Sequence, residues 1–263
     1  MNLGGDKEGS KVVIQLLGDC NVSISGQWLS GVPHDFYRLG AYILLESRSQ
    51  PVLRRRIGEM IWSEGGPERA AADIRQAISR IRRFEAERDF RFIAADGYLV
   101  WCIKDPNVSC DLSDLLDALD LLDDGPSAAE TMRICDVYSG VLLRSLRPAG
   151  EAFEEWLAFQ QRALNDRFIA AVSAALLPGS PLSPHQMQYC ARRLLKFDVC
   201  NEGAYCALMR VAARQGHLDL VKLIFSECRR TLRAELGIEP EGTTVRLFQA
   251  LTNPAPDGAK LPA

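Results

Sequence analysis

The segment from Pro67 to about Glu87 constrains the fold most, because one helical pattern runs through it without interruption. Pro67 follows two glycines and suits the first turn of a helix, since the N–H that proline lacks would have had no partner there. Apolar residues recur along the segment at i, i+4, i+7 spacing and form one stripe that must face a core: Ala70, Ile74, Ala77, Ile78, Ile81 and Phe84. The opposite face is left to solvent or to a partner.

That opposite face is rich in arginine. Residues 75–83, RQAISRIRR, contain four arginines and no acidic residue. At about 100° per residue, the side chains that point away from the stripe or flank it are Arg75, Gln76, Ser79, Arg80, Arg82 and Arg83. An exposed arginine face is often merely solvated, and Asp73, Glu85 and Glu87 lie within ion-pairing distance along a helix. The pattern alone therefore leaves nucleic-acid binding and a solvated, ion-paired surface both open.

The elements around this helix predict a small domain. Short β-branched runs at 12–18 and 21–25 indicate strands, and FYRLGAYILLES and LRRRIGEMIW place apolar residues at helical spacing. After the long helix, FRFIAADGYLVWCI is a hairpin signal centred on Asp96-Gly97. Strands, three helices and a hairpin, in that order, predict a winged helix-turn-helix, in which the third helix enters the major groove of DNA.

The second half of the chain indicates helices. Leucines at 112, 115, 116, 119 and 122 form one stripe, and later segments pair as 185–197 with 202–214 and 218–236 with 243–251. Helix pairs of about 34 residues suggest a tetratricopeptide-like array. The fold class expected is mostly α with a small β component: an N-terminal winged helix-turn-helix domain followed by an all-α tetratricopeptide-like domain. Residues 253–263 are rich in Pro, Gly and Ala, and we expect them to be disordered.

Composition excludes several classes of protein. The net charge of −3 gives no global field to attract nucleic acid, so a DNA-binding surface must be local.

The N-terminus has no apolar signal region, and the longest near-apolar run, at 168–177, is too short for a bilayer; we expect a cytoplasmic protein without a membrane partner. Eight cysteines without CxxC spacing and three distant histidines predict reduced thiols, with no metal and no cofactor. No catalytic motif is present, so we expect no enzyme.

Several segments resemble a known family. IQLLGDCNVSI, GAYILLESRSQPVLRRRIGEMIW, PERAAADIRQAISRIRR and DGYLV together resemble the OmpR-type DNA-binding domain of the antibiotic regulatory protein (SARP) family of bacterial transcription activators. The second half resembles the bacterial transcriptional activation domain of that family, most specifically in LRAELGIEP. The resemblance spans roughly residues 12 to 252 and implies a winged-helix domain over 11–104 and an activation domain over 108–252.

The resemblance also implies roles for individual residues. By position, Arg75, Gln76, Ser79 and Arg80 match the base-facing part of the recognition helix, and Arg82 and Arg83 match phosphate clamps. The turn that touches RNA polymerase in OmpR-type activators corresponds to Trp62, Ser63, Glu64, Gly65 and Gly66. Tyr98 matches the wing tyrosine, and we expect it to pack under the sheet. His34 and Asp35 stand where the family often has Lys or Arg, which weakens a phosphate contact there.

The expected function is therefore a sequence-specific activator that binds promoter DNA, as two copies on direct repeats, and recruits RNA polymerase. The alternative is a helical-repeat scaffold for protein interactions whose N-terminal domain no longer binds DNA. The acid-free arginine cluster favours the activator, because a scaffold has no need of it.

Overall fold

A computed structural model describes residues 11–48, 50–122, 127–147 and 149–253. The polar N-terminal segment 1–10, Ser49 and most of the predicted disordered tail, residues 254–263, lie outside the described residues. Within the described ranges, the strands are β1 (Val12–Gln15), β2 (Asn21–Ile24), β3 (Gln27–Trp28), β4 (Val52–Leu53), β5 (Ile93–Asp96), β6 (Leu99–Cys102) and β7 (Val108–Cys110).

The helices account for most of the described chain, as the sequence predicts. They are α1 (His34–Ser47), α2 (Arg54–Ile61), α3 (Gly66–Ala86), α4 (Asp111–Leu122), α5 (Ala128–Val137), α6 (Glu151–Ala175), α7 (Pro184–Leu194), α8 (Glu202–Arg214), α9 (Leu218–Leu236) and α10 (Gly242–Thr252). None of these described helices combines the length and the apolar character needed to cross a bilayer. The mostly helical architecture with a β-rich N-terminal part confirms the predicted fold class.

The contacts divide the chain into two compact units. The first runs to Asp117 and includes Val137–Leu164; the second comprises Ala118–Asp136 and the chain from Asn165 onwards. The first unit therefore extends well beyond residue 104, where the sequence predicts the winged-helix domain to end. The added residues contribute a strand and backbone hydrogen bonds to the N-terminal sheet.

The first unit contains two sheets. In the four-stranded sheet the order is β3-β2-β1-β7, with β1 antiparallel to β2 and parallel to β7, so that Val12 is paired with Ile24 on one side and Val108 on the other. The three-stranded sheet has the order β4-β6-β5. Its β5–β6 hairpin turns between Asp96 and Leu99, which pair in register. The hairpin is the one that the sequence predicts.

Asp111, at the start of α4, ties the added residues to β1. Its two carboxylate oxygens accept hydrogen bonds from the backbone N–H groups of Leu16 (2.8 Å) and Leu17 (3.0 Å). The N–H of Leu143 donates to the carbonyl of Leu16 at 2.8 Å. These bonds satisfy buried backbone groups just after β1, where its pairing with β2 and β7 has ended. They explain why the unit does not end after the hairpin.

An aromatic core holds α1 against α3 and the hairpin. The ring of Phe36 lies 5.8 Å from that of Phe84 in α3, and 6.3 and 5.6 Å from those of Phe90 and Phe92, which precede β5. The whole apolar stripe predicted for α3 is buried, with relative exposures of 4% or less. The predicted orientation of α3 is therefore confirmed.

Gly40 lies where α1 approaches this core most closely. A Cβ atom at this position would come within 2.9 Å of Cε1 of Phe92, closer than real carbon contacts allow. We expect Gly40→Ala to lower the free energy of unfolding by about 1–2 kcal/mol, because overpacking outweighs the better helix propensity of alanine. Urea titration followed by tryptophan fluorescence measures the change.

Gly242→Ala is the matched control for Gly40→Ala. The new Cβ would meet only the end of the flexible Arg246 side chain, at 3.3 Å, so we expect no loss of stability in urea titrations followed by far-UV circular dichroism, which reports on both units. A Gly40→Ala chain that is more stable than the wild type would show that the Phe92 ring moves aside freely.

The second unit is helical. Its helices α7, α8, α9 and α10 correspond to the four segments that the sequence predicts, although α7 ends at Leu194, three residues early. Ser183 and Gln186 form a capping box at the start of α7, and Gly237 ends α9 with φ of 69°, a conformation that glycine adopts without strain. The sequence pattern does not predict α5.

Candidate nucleic-acid interface

All six side chains predicted to read or clamp DNA lie on the exposed side of α3. We call this set the α3 outer face: Arg75, Gln76, Ser79, Arg80, Arg82 and Arg83. Two constraints fix the position of the helix that carries it. The stripe on the other side packs into the aromatic core, and α2 crosses closely at Gly58, where a Cβ would lie 3.2 Å from the carbonyl oxygen of Ala70. The structure thus brings the predicted residues together on one surface.

The three acidic residues that helical spacing places near this face are engaged elsewhere. Asp73 lies 4.0 Å from Arg69, one turn earlier, and Glu87 pairs with Arg88 at 3.1 Å. Glu85 is buried and accepts hydrogen bonds from the backbone N–H groups of Phe92 (3.0 Å) and Ile93 (2.9 Å). Burial raises the pKa of Glu85, while these two backbone donors lower it. The ion-paired interpretation of the arginine face is therefore wrong for these three acids.

The four arginines of the α3 outer face differ in what holds them. Within the described parts of the chain, Arg75 and Arg83 make no ion pair and no side-chain hydrogen bond. Arg80 pairs with Asp35 of α1 at 2.8 Å. Arg82 donates a hydrogen bond to the carbonyl oxygen of Ala95 in β5, which links α3 to the hairpin. Arg75 and Arg83 thus retain all their donors for an anionic partner.

A second arginine run, at the start of α2, is partly neutralised by neighbouring glutamates. Arg55 pairs with Glu59 at 2.7 Å, and Arg56 pairs with Glu46 of α1 at 2.8 Å. Arg54 lies half-buried beside them, and its backbone N–H donates to the carbonyl of Tyr98 at 2.7 Å. Two of the three arginines of this run are therefore paired with glutamates, whereas Arg54 has no ion pair among the described residues.

Tyr98 does not pack under the sheet, and that expectation is wrong. Its side chain is 83% exposed at the turn of the β5–β6 hairpin, directly after Gly97. The inward positions of the hairpin are taken by Val100 and Cys102, which are buried, so the turn residue lies beyond the edge of the core. Leu99 beside it is also partly exposed. The tip of the hairpin therefore presents an aromatic ring to solvent.

The predicted polymerase-contact residues form an exposed turn between α2 and α3. Ser63, Glu64 and Gly65 make one turn of 3-10 helix, and Gly66 starts α3 with φ of 78°, a left-handed conformation that favours glycine. Trp62 is half-buried; the other four residues are exposed. The loop is thus accessible, and a role in touching polymerase stays a prediction.

The cysteines show the features of packing residues. Five of the eight free thiols are buried, among them Cys102, as its apolar neighbours predict. Burial raises the pKa of Cys20 to about 12, so its thiol stays protonated near neutral pH. In the described ranges, no three His, Cys, Asp or Glu side chains are grouped so that they could hold a metal ion.

Comparisons with known proteins bear on the second half of the chain and on the fold. A family profile described as the bacterial transcriptional activator domain matches residues 122–252. The fold is similar to that of EmbR from Mycobacterium tuberculosis, solved in complex with a low-affinity phosphopeptide: the TM-score is 0.59 at 17% sequence identity, over 95% of this chain and 67% of that one. Comparison with curated protein sequences gives no significant match.

Proposed function

We propose that the chain is a SARP-type bacterial transcription regulator, with a bacterial transcriptional activator domain over residues 122–252, and that it activates transcription by binding promoter DNA through α3 and the β5–β6 hairpin. The observation that carries this proposal is the α3 outer face, where two arginines without partners among the described residues stand beside Gln76 and Ser79. A helix with a buried apolar side and donors on its outer side suits the major groove.

The chemistry of the outer face assigns a role to each side chain. Gln76 suits adenine, which offers one donor and one acceptor in the major groove, and Arg75 suits guanine or phosphate. Ser79 hydrogen-bonds with either kind of base edge. Arg83 clamps phosphate, and Arg82, which is tied to the hairpin, does so with its remaining donors. Phosphate contacts supply affinity, and base contacts supply sequence preference.

The exposed turn from Trp62 to Gly66 contacts RNA polymerase, and two copies occupy direct repeats on the promoter. The protein acts in the cytoplasm, and no catalytic step is assigned to it.

Salt dependence tests the proposal directly. We expect fluorescence anisotropy with labelled genomic fragments to show affinity that falls steeply with salt, with a slope of about −0.9 for each phosphate that is neutralised. Binding that is absent, or that does not change with salt, would mean that α3 makes no phosphate contacts. The helical-repeat scaffold would then be the better description.

Gln76→Ala separates base reading from phosphate binding. We expect it to relax the preference for one base position, with a loss of about 5- to 100-fold on the preferred site and little change on random DNA. Sites selected from a random library by the wild type and by the variant reveal the difference. The matched control is Arg83→Ala, which should weaken all sequences alike and flatten the salt slope by about one. Equal losses on every sequence from Gln76→Ala would contradict its role.

A further inference from the structure

Asp35 is a carboxylate placed against the α3 outer face by a different helix. It lies in the first turn of α1, where the positive end of the helix dipole favours an anion, and it is 8% exposed. One of its oxygens contacts Arg80 at 2.8 Å, and the other contacts Arg38 at 3.2 Å. Both oxygens are therefore engaged, and the carboxylate points toward the recognition surface.

Arg38 keeps this carboxylate in place. Its second terminal nitrogen donates to the carbonyl oxygen of Arg147 at 2.8 Å, so the guanidinium is held at both ends. If the Arg80 side chain moves outward, the Asp35 side chain cannot move with it without breaking the bond to Arg38. The Arg80 guanidinium is thus anchored at one nitrogen, which restrains its orientation, while its side chain stays 49% exposed and its other donors have no partner among the described residues.

This anchoring has two physical effects on Arg80. The Asp35 carboxylate, which Arg38 shares, offsets part of its charge, so Arg80 contributes less to sequence-independent attraction to phosphates than Arg75 and Arg83 do. A guanidinium that is already oriented also loses less conformational freedom when it meets a base edge. Guanine, with its O6 and N7 acceptors side by side, is the base that matches two parallel N–H donors.

We propose that Asp35 is a positioning residue that makes Arg80 a reader of guanine rather than a phosphate clamp. The inference rests on the proposed function of α3 and names the residue pair that confers part of its sequence preference. It also gives the acid at this position a role, whereas the sequence alone indicates only a weakened phosphate contact.

The test compares Asp35→Asn with the wild type in the full chain. DNA sites are first selected from a random library with the wild type, and affinities for a selected duplex and for a random-sequence duplex are measured over a salt series. We expect Asp35→Asn to bind random DNA more tightly, with a salt slope steeper by about 0.9, because Arg80 becomes free to reach phosphate. The ratio of selected to random affinity should fall about tenfold, and selection with the variant should lose one guanine.

Three controls make the result specific. Asp19→Asn removes the same charge from an exposed pair with Arg144 (2.9 Å) and should leave the ratio unchanged. In an Arg80→Ala background, Asp35→Asn should have no further effect on the ratio. Arg80→Lys keeps the charge on an exposed residue but lacks the planar pair of donors, so it should also lose the guanine preference even if Asp35→Asn disturbs folding.

The outcomes distinguish the two proposals. A wild type that binds no DNA overturns the proposed function and this inference together. A wild type that binds with salt dependence, beside an Asp35→Asn chain whose affinities for both duplexes rise equally, overturns the positioning role alone. An unchanged guanine preference in Arg80→Lys would do the same.

Discussion

A chain in which Arg75 and Arg83 are both replaced by alanine is expected to bind its selected DNA site about 100-fold more weakly than the wild type at moderate salt. These two side chains have no partner among the described residues, so their removal leaves the fold of α3 intact while it deletes two cationic contacts. The slope of log affinity against log salt should become shallower by about one to two. Fluorescence anisotropy over a salt series measures both effects.

The chain offers a control with the same loss of charge. Replacing Arg55 and Arg56 by alanine also removes two arginines, but each of them is paired with a glutamate, at 2.7 and 2.8 Å. We expect this variant to lose less than fivefold in affinity, since neutralised charges contribute little to phosphate attraction. Equal losses in the two variants would indicate that net charge, and not the position of the arginines on α3, determines binding.

Asp111→Ala is expected to lower the free energy of unfolding of the first unit by about 3 kcal/mol, the largest loss of stability that we anticipate from a single substitution. The change leaves the N–H groups of Leu16 and Leu17 without their acceptor at the end of β1. All four tryptophans belong to this unit, so tryptophan fluorescence in urea reports on it selectively. A loss below about 1 kcal/mol would mean that water reaches these two groups.

The same carboxyl group makes stability depend on pH. Burial raises the pKa of Asp111 to about 7, although three backbone N–H donors lower it. The pKa of an aspartate in the unfolded chain is about 3.9, so the folded state binds the proton more tightly. The stability that this group contributes is therefore lost as the pH rises toward 7. Between pH 5 and pH 8 we expect the free energy of unfolding to fall by an amount on the order of 2 kcal/mol. Asp111→Asn cannot ionise at this position, so its free energy of unfolding should fall by about 2 kcal/mol less than that of the wild type between pH 5 and pH 8.

The sequence predicts well what depends on local spacing. The apolar stripe of α3 determines which side of the helix is buried. Because the helical period places the arginines on the opposite side, their exposure follows from the same pattern. The hairpin turn at Gly97 and the end of α9 at Gly237 are likewise local features, since each requires a backbone conformation that glycine adopts readily.

Contacts between distant residues escape such reasoning. Asp35 and Arg80 are 45 residues apart, and no periodic pattern connects the start of α1 with the outer side of α3. The parallel pairing of β7 with β1 and the role of Asp111 depend on where the chain returns after the hairpin, which spacing does not specify. Glu85 shows the limit most directly: helical counting makes it a partner for the arginines, whereas the hairpin buries it.

The bond from Arg82 to the carbonyl of Ala95 joins α3 to β5. In the proposed complex with DNA, this bond limits how far the helix and the hairpin can move apart, so the duplex supplies part of the adjustment. Sites whose grooves already have the matching width, or whose base steps bend easily, pay a smaller deformation energy and bind more tightly. We therefore expect base pairs that no side chain touches to influence affinity through the flexibility of the double helix.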